Sequence, residues 1–146
     1  NDSLQGGDGN DYLDGGIGID QLNGGNGDDI LVWDIADSMR AGGSGFDILL
    51  VQGSGQFVDL TIIHKDQFRS MEEVDLNGSG SNTLKVSADS IYEGDHDVNA
   101  LTGTPNTLVV RLGLDDVVNK GTGWTEQTPQ VHDMVLYRVY TKLNSA

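Results

Sequence analysis

Gly6-Gly7-Asp8-Gly9-Asn10-Asp11-Tyr12-Leu13-Asp14 is the stretch on which the reading of this chain turns. The same nine-residue pattern, Gly-Gly-x-Gly-x-Asp-x-Leu-x, runs on through 15–23 and 24–32 and returns at 42–50. Its apolar slot holds Leu13, Leu22, Leu31 and Leu49, with Leu4 in step before the first full copy. Each copy divides into a six-residue turn and a three-residue strand. Glycine permits backbone angles that a Cβ would forbid, so carbonyl oxygens of the turn can face one point. The Asp at the sixth position adds a carboxylate there, and the Leu that follows points into an interior between two sheets. A hard divalent cation such as calcium takes six to eight oxygens and accepts carbonyls and carboxylates together. One turn supplies about half such a shell, and two stacked turns complete it. A flexible Gly-rich linker, the plain alternative, carries no periodic Leu or Asp.

Gly24 and Gly42 lie two repeat lengths apart, so residues 33–41 replace one copy without breaking the phase. In this spacer Trp33, Ile35 and Met39 miss the Leu slot, which Arg40 occupies. The expectation is a decorated turn with a short helical stretch.

Composition agrees with a thin, cation-binding architecture. Hydrophobic residues make up 36% of the 146 residues, low for one thick core, and 14 of the 21 glycines precede residue 56. The formal net charge is −15, which repels phosphate backbones and anionic lipid; nucleic acid and membrane insertion are therefore excluded as expectations. The acids are 19 Asp against 4 Glu. Solubility alone gives no reason for that bias, whereas a short carboxylate folding back beside its own backbone does. There is no Cys, so disulfides and thiolate metal sites are absent. No run approaches the 18 apolar residues of a membrane helix, and no signal peptide opens the chain. Asn1-Asp2-Ser3-Leu4-Gln5 reads as the tail of a repeat that began upstream.

After residue 52 the pattern changes. Short β-rich runs occur at 57–63, 73–76, 83–86, 107–112 and 134–141, separated by Gly, Asn, Asp and Ser clusters, and 87–93 reads as one helical turn. The expected organisation is all-β: a calcium-binding repeat region over 1–52, then a β-rich extension or cap over 53–146. A stack of coils needs such a cap, because a bare last rung exposes apolar side chains and unpaired strand edges.

The repeats resemble those of the RTX family. That resemblance implies a right-handed parallel β-roll in which two nonapeptides make one coil and turns 18 residues apart stack along one edge. It also implies calcium between the turns, held by carbonyls at positions two and four of one turn, carbonyls at positions one and three of the next, and both Asp carboxylates. Carried over by position, one site takes Gly7, Gly9, Asp11, Gly24, Asn26 and Asp29, and the next takes Gly25, Gly27, Asp29, Gly42, Ser44 and Asp47. On the opposite edge Asp2, Gly15, Ile17 and Asp20 match halves of sites, and Gly16, Gly18 and Asp20 face the spacer, where Asp34 or Asp37 stands in for the repeat Asp.

Asp29-Ile30-Leu31-Val32-Trp33-Asp34-Ile35-Ala36-Asp37, Met71-Glu72-Glu73-Val74-Asp75-Leu76-Asn77-Gly78 and Gly121-Thr122-Gly123-Trp124-Thr125 are similar, in that order, to the C-terminal region of large type I-secreted RTX adhesins. The likeness implies an extracellular or cell-surface module with calcium and the type I secretion machinery as partners, and a surface ligand bound through neighbouring domains. Two departures stand out: Gly113-Leu114-Asp115-Asp116-Val117 is a degraded Gly/Asp turn, and the chain stops at Ala146 before the family's terminal secretion signal is complete.

Nothing in the chain reads as an enzyme. His64, His96 and His132 lack metalloprotease or triad spacing, and no GxSxG elbow or phosphate loop occurs. Asp95, Asp97, Asp115 and Asp116 are a solvated acidic loop before they are a further calcium site. Trp33, Trp124, Tyr137 and Tyr140 read as core rather than a sugar-binding face. The competing readings are the C-terminal RTX domain of a secreted protease or lipase, and a module that itself binds glycan or ice.

Overall fold

The computed structural model describes residues 1–63, 67–76, 80–86, 107–113, 115–121, 124–127, 130–132 and 135–142. Among them every regular element is a strand. The helical turn read at 87–93 lies outside the described residues, and the spacer forms a plain turn at 35–36 without a helix.

The repeats wind between two parallel sheets. Strands β1 (Ser3–Asp8), β3 (Gln21–Asn26) and β5 (Met39–Ser44) stack on one side. On the other lie β2 (Tyr12–Leu13), β4 (Ile30–Val32) and β6 (Ile48–Leu50). Register follows the repeat: Leu4 pairs with Leu22, Leu13 with Leu31, and Leu31 with Leu49. Leu22, Leu31 and Leu49 are fully buried, each worth roughly 1.5–3 kcal/mol of apolar burial. Because strand side chains alternate faces, a slip of one residue would expose the whole ladder, so the Leu period fixes the register.

Beyond β6 the coil lengthens and gains a third side. β7 (Phe57–Asp59), β10 (Thr83–Val86) and β12 (Val117–Lys120) form a separate parallel sheet. β8 (Phe68–Arg69) joins β5, while β9 (Glu73–Asp75) and β11 (Thr107–Arg111) extend the sheet of β6. Polar contacts that span 18 residues between repeat coils span 25–26, then 34–36, between later ones. One core runs throughout: Leu49 is followed by Val74 and Val110 in one sheet, and Val58 by Leu84 and Val118 in the third.

In the sheet of β2, β4 and β6 the parallel order ends at β11. There β15 (Val135–Lys142) pairs antiparallel, and β13 (Trp124–Glu126) and β14 (Gln130–His132) pair antiparallel with β15. Thus the last parallel edge of that sheet meets a strand of the opposite direction instead of water.

The coil that follows β6 carries a buried acid on β9. Glu73 is 1% exposed, and its Oε1 lies 3.0 Å from Arg111 Nε, while Arg111 also reaches Asp75 at 3.1 Å. Burial pushes the Glu73 carboxyl up to about 7, against the pull of Arg111 and with the push of Asp75. A folded-state value above the unfolded one means that this group's contribution is present below pH 4.5 and lost as pH rises through about 7. Glu73→Gln should therefore flatten the stability profile between these limits. Its stability relative to the parent should rise by roughly 2–3 kcal/mol from pH 5 to pH 8, measured by urea melts in saturating calcium. An unchanged difference between pH 5 and pH 8 would refute this assignment.

Candidate functional site

The six-residue turns stack along two edges, and on each edge the sixth-position carboxylates form a ladder. On the first edge the Asp11 N–H donates to Asp29 Oδ1 at 2.8 Å and the Asp29 N–H donates to Asp47 Oδ1 at 2.9 Å. The Asp47 N–H then donates to Glu72 Oε2 at 2.8 Å, so Glu72 ends the ladder from outside the repeats. The geometry is local in origin. Each Asp immediately precedes its strand, so its backbone N–H and its carboxylate both face the gap between coils.

One oxygen of the Asp29 and Asp47 carboxylates is used in this way; the other faces the gap. Asp11 Oδ2 and Asp29 Oδ2 are buried without a hydrogen-bond partner, and Asp29 is 0% exposed. A buried carboxylate oxygen with no donor is strongly unfavourable unless a cation is there to meet it.

Around each such oxygen the backbone makes a cradle. A Cβ added to Gly6 would lie 2.5 Å from both Asp11 Oδ2 and the Gly24 carbonyl oxygen. A Cβ on Gly24 would collide with Asp29 Oδ2 and the Gly42 oxygen, and one on Gly42 with Asp47 Oδ2 and the Ser70 oxygen. The Gly7 and Gly9 oxygens face Gly25 and Gly27 of the next turn, and the Gly25 and Gly27 oxygens face Gly43 and Gly45. Asn26 and Ser44 are placed differently: their carbonyl oxygens accept the Gly9 and Gly27 N–H groups at 2.7 and 2.8 Å. A carbonyl has a second lone pair, so this bond leaves ligation open to them.

On the second edge the Asp2 N–H donates to Asp20 Oδ1 at 2.5 Å, and the Asp20 N–H donates to Asp37 Oδ1 at 3.1 Å. Asp20 is fully buried and its Oδ2 has no partner; a Cβ on Gly15 would come within 2.7 Å of it. Of the two spacer candidates, Asp37 takes the ladder position. Asp34 instead folds its Oδ1 onto the Ala36 N–H in a local turn. Burial raises the Asp37 carboxyl above its ordinary value, in spite of the Asp20 N–H and the Arg40 charge. The Ile17 side chain points wholly into solvent, which leaves only its backbone for the expected ligand role.

A third ladder escaped the repeat search. The Gln56 N–H donates to Asn82 Oδ1 at 2.9 Å, and the Asn82 N–H donates to Asp116 Oδ1 at 2.7 Å. The available signal was position: Gln56, Asn82 and Asp116 each precede a strand, as the repeat Asp residues do. Here every oxygen has its donor. Asp116 Oδ2 accepts the Gly113 N–H at 2.6 Å, and the Asn82 amide donates onward to the Gly53 and Leu76 oxygens. The Asp116 carboxylate of the degraded turn is thus satisfied within the chain. His64, His96, Asp95 and Asp97 lie outside the described residues, as do the side chains of Trp124, His132, Tyr137 and Tyr140.

Among the described residues no three His, Cys, Asp or Glu side chains converge. The first two ladders offer carboxylate oxygens beside backbone carbonyls, a donor set suited to calcium rather than to softer metals. Orphaned buried oxygens and cradles that a methyl would fill are what such an ion requires, so the residues fit it.

Comparison with known proteins agrees. Residues 1–32 match the family model described as the RTX calcium-binding nonapeptide repeat (4 copies), so this part of the chain is an RTX repeat region. Neither a curated protein nor a solved structure matches the chain. The match ends at residue 32, whereas the Asp ladder continues to Asp47. No helix of the described residues is long and apolar enough to cross a membrane.

Proposed function

We propose that, with RTX calcium-binding repeats as its N-terminal portion, this chain is a calcium-dependent structural module of an extracellular type I-secreted adhesin. In this reading residues 1–52 are the calcium-binding roll and 53–146 the extension that caps it. The module carries no catalysis; it supplies rigidity and display, and neighbouring domains contact the surface ligand. The observation that supports it is the row of buried, partnerless oxygens of Asp11, Asp20 and Asp29 between stacked turns.

Between Asp2 and Gln52 stand ten acids and one base, Arg40, so without a cation the turns repel one another. Binding to the folded state alone contributes RT ln(1 + [Ca]/Kd) per site. With Kd on the order of 10⁻⁴ M, as for extracellular modules, calcium near 10⁻² M gives about 2.7 kcal/mol per site. At micromolar calcium the same contribution is close to zero. Several sites therefore decide whether the roll exists, and they decide oppositely inside and outside a cell. An unfolded chain inside suits export through a narrow secretion channel, and folding follows in the calcium outside.

Circular dichroism during a calcium titration, with a calorimetric ion count, tests this reading. Strand signal should rise cooperatively with several ions bound per chain. Full strand signal in excess chelator, or no heat of binding, would sink it.

A further inference from the structure

Arg40 stands where the repeat puts Leu: it pairs with Leu22 on one side and Phe68 on the other, and it is 1% exposed. A guanidinium in the Leu ladder of so thin a core is unfavourable unless something answers its charge. The answering groups come from the spacer turn. One terminal nitrogen donates to the Asp34 and Asp37 carbonyl oxygens, the latter at 3.2 Å, and Nε lies 3.8 Å from Asp37 Oδ2. The Trp33 ring closes the remaining side, 4.5 Å from the guanidinium carbon.

Backbone carbonyls and one ladder carboxylate make up the donor set that the other turns hold open between coils. We propose that the Arg40 guanidinium is a tethered cation, filling the position at the end of the second ladder that calcium fills elsewhere. Asp37 is a true ladder member, since its Oδ1 accepts the Asp20 N–H from 17 residues away, one short of the repeat spacing. Its Oδ2, like that of Asp29, has no hydrogen-bond partner, but a positive side chain stands beside it, with Arg40 Nε 3.8 Å away. The spacer can therefore abandon the glycine pattern and keep its phase. It closes the second edge without metal, at the coil that precedes the third sheet.

The inference rests on the calcium-ladder reading, but its test can fail separately. In saturating calcium, Arg40→Met should lower the melting temperature by roughly 10 °C, because it leaves the Asp37 carboxylate buried beside no cation. Coupling between Arg40 and Asp37 is read by adding Asp37→Asn, which keeps an oxygen for the Asp20 N–H: the double variant should recover most of the loss. Arg40→Lys, which keeps the charge, should retain most of the parent's melting temperature. The double variant should bind as many calcium ions as the parent by calorimetry, since this position never held one. Additive effects, a silent Arg40→Met, or Arg40→Lys as harmful as Arg40→Met would each overturn the proposal. So would a double variant that binds one ion fewer. If Arg40→Met does not fold, a folded double variant supports the proposal and an unfolded one overturns it. A parent that binds no calcium would refute the ladder reading itself.

Discussion

Asp29→Asn is expected to empty two calcium positions at once, because Asp29 borders both gaps of the first edge. Its Oδ1 accepts the Asp11 N–H from the coil before, and its Oδ2 faces the cradle formed with the Gly42 carbonyl of the coil after. Asn keeps the acceptor oxygen, so the backbone ladder survives, but it removes the charge that answers the ion. With two sites worth about 2.7 kcal/mol each near 10⁻² M calcium, roughly 5 kcal/mol of stability should go. That is much of what an ordinary small domain has. Calorimetry should count two ions fewer, and the roll should need far more calcium to form. Asp8→Asn is the control. Asp8 is exposed and only receives the Asn26 amide, on the outer face of the same turns, so its loss should stay within about 0.5 kcal/mol. An unchanged ion count in Asp29→Asn, or an equal effect at Asp8, would show that acidity in general matters and not the ladder.

How far the fold was legible depends on whether its period was constant. From Leu4 to Leu49 a fixed repeat put each apolar side chain and each Asp in the right place, and the structure keeps that register through the spacer. The spacer itself was half legible. Its phase was plain, but a buried Arg in the Leu slot has meaning only beside Asp37 and Trp33, and those contacts belong to tertiary structure. Past residue 52 the spacing of paired positions grows from 18 to 25–26 and then to 34–36 residues, so no fixed-period search can align them. The third sheet and the Asn82–Asp116 ladder were missed for that reason. The run at 57–63 was read as one strand, yet β7 stops at Asp59, whose carboxylate accepts both the N–H and the hydroxyl of Thr61 and so turns the chain.

That same contrast explains why the two halves answer charge differently. In the repeats, fixed spacing puts carboxylate above carboxylate, and only an outside cation can answer them. In the longer coils the ladder carries Asn82, whose amide donors reach the Gly53 and Leu76 oxygens themselves. On the proposed reading the chain meets one need in three ways: a metal on the first edge, a guanidinium at the end of the second, and an amide on the third.

Gly24→Ala should be at least as damaging as Asp29→Asn, although it changes no charge and adds one methyl. Glycines in turns are usually explained by backbone angle, and Gly7 is such a case: its φ is +105°, and a Cβ there would meet nothing within 4 Å. Gly24 is the opposite case. Its φ is not in the left-handed range, so Ala could take the backbone angle without strain. What forbids the methyl is the space, since it would stand among Asp29 Oδ2 and the Gly42 oxygen, where the proposed ion would be held. Neither neighbour can give way. The Asp29 carboxylate is fixed by the Asp11 N–H through its other oxygen, and Gly42 belongs to β5, which pairs with β3 on either side of it, at Ala41 and Gly43. Gly7→Ala should therefore lose on the order of 1 kcal/mol, the usual conformational penalty at a left-handed position, and keep its ions. Gly24→Ala should lose calcium binding in its gap, and raising calcium should not restore the fold, because the ion and the methyl exclude each other. Calcium titrations of both variants, followed by strand signal and ion count, decide the matter. If Gly24→Ala were rescued by excess calcium while Gly7→Ala were not, the glycines would serve backbone angle alone, and the cradle would not be the binding site.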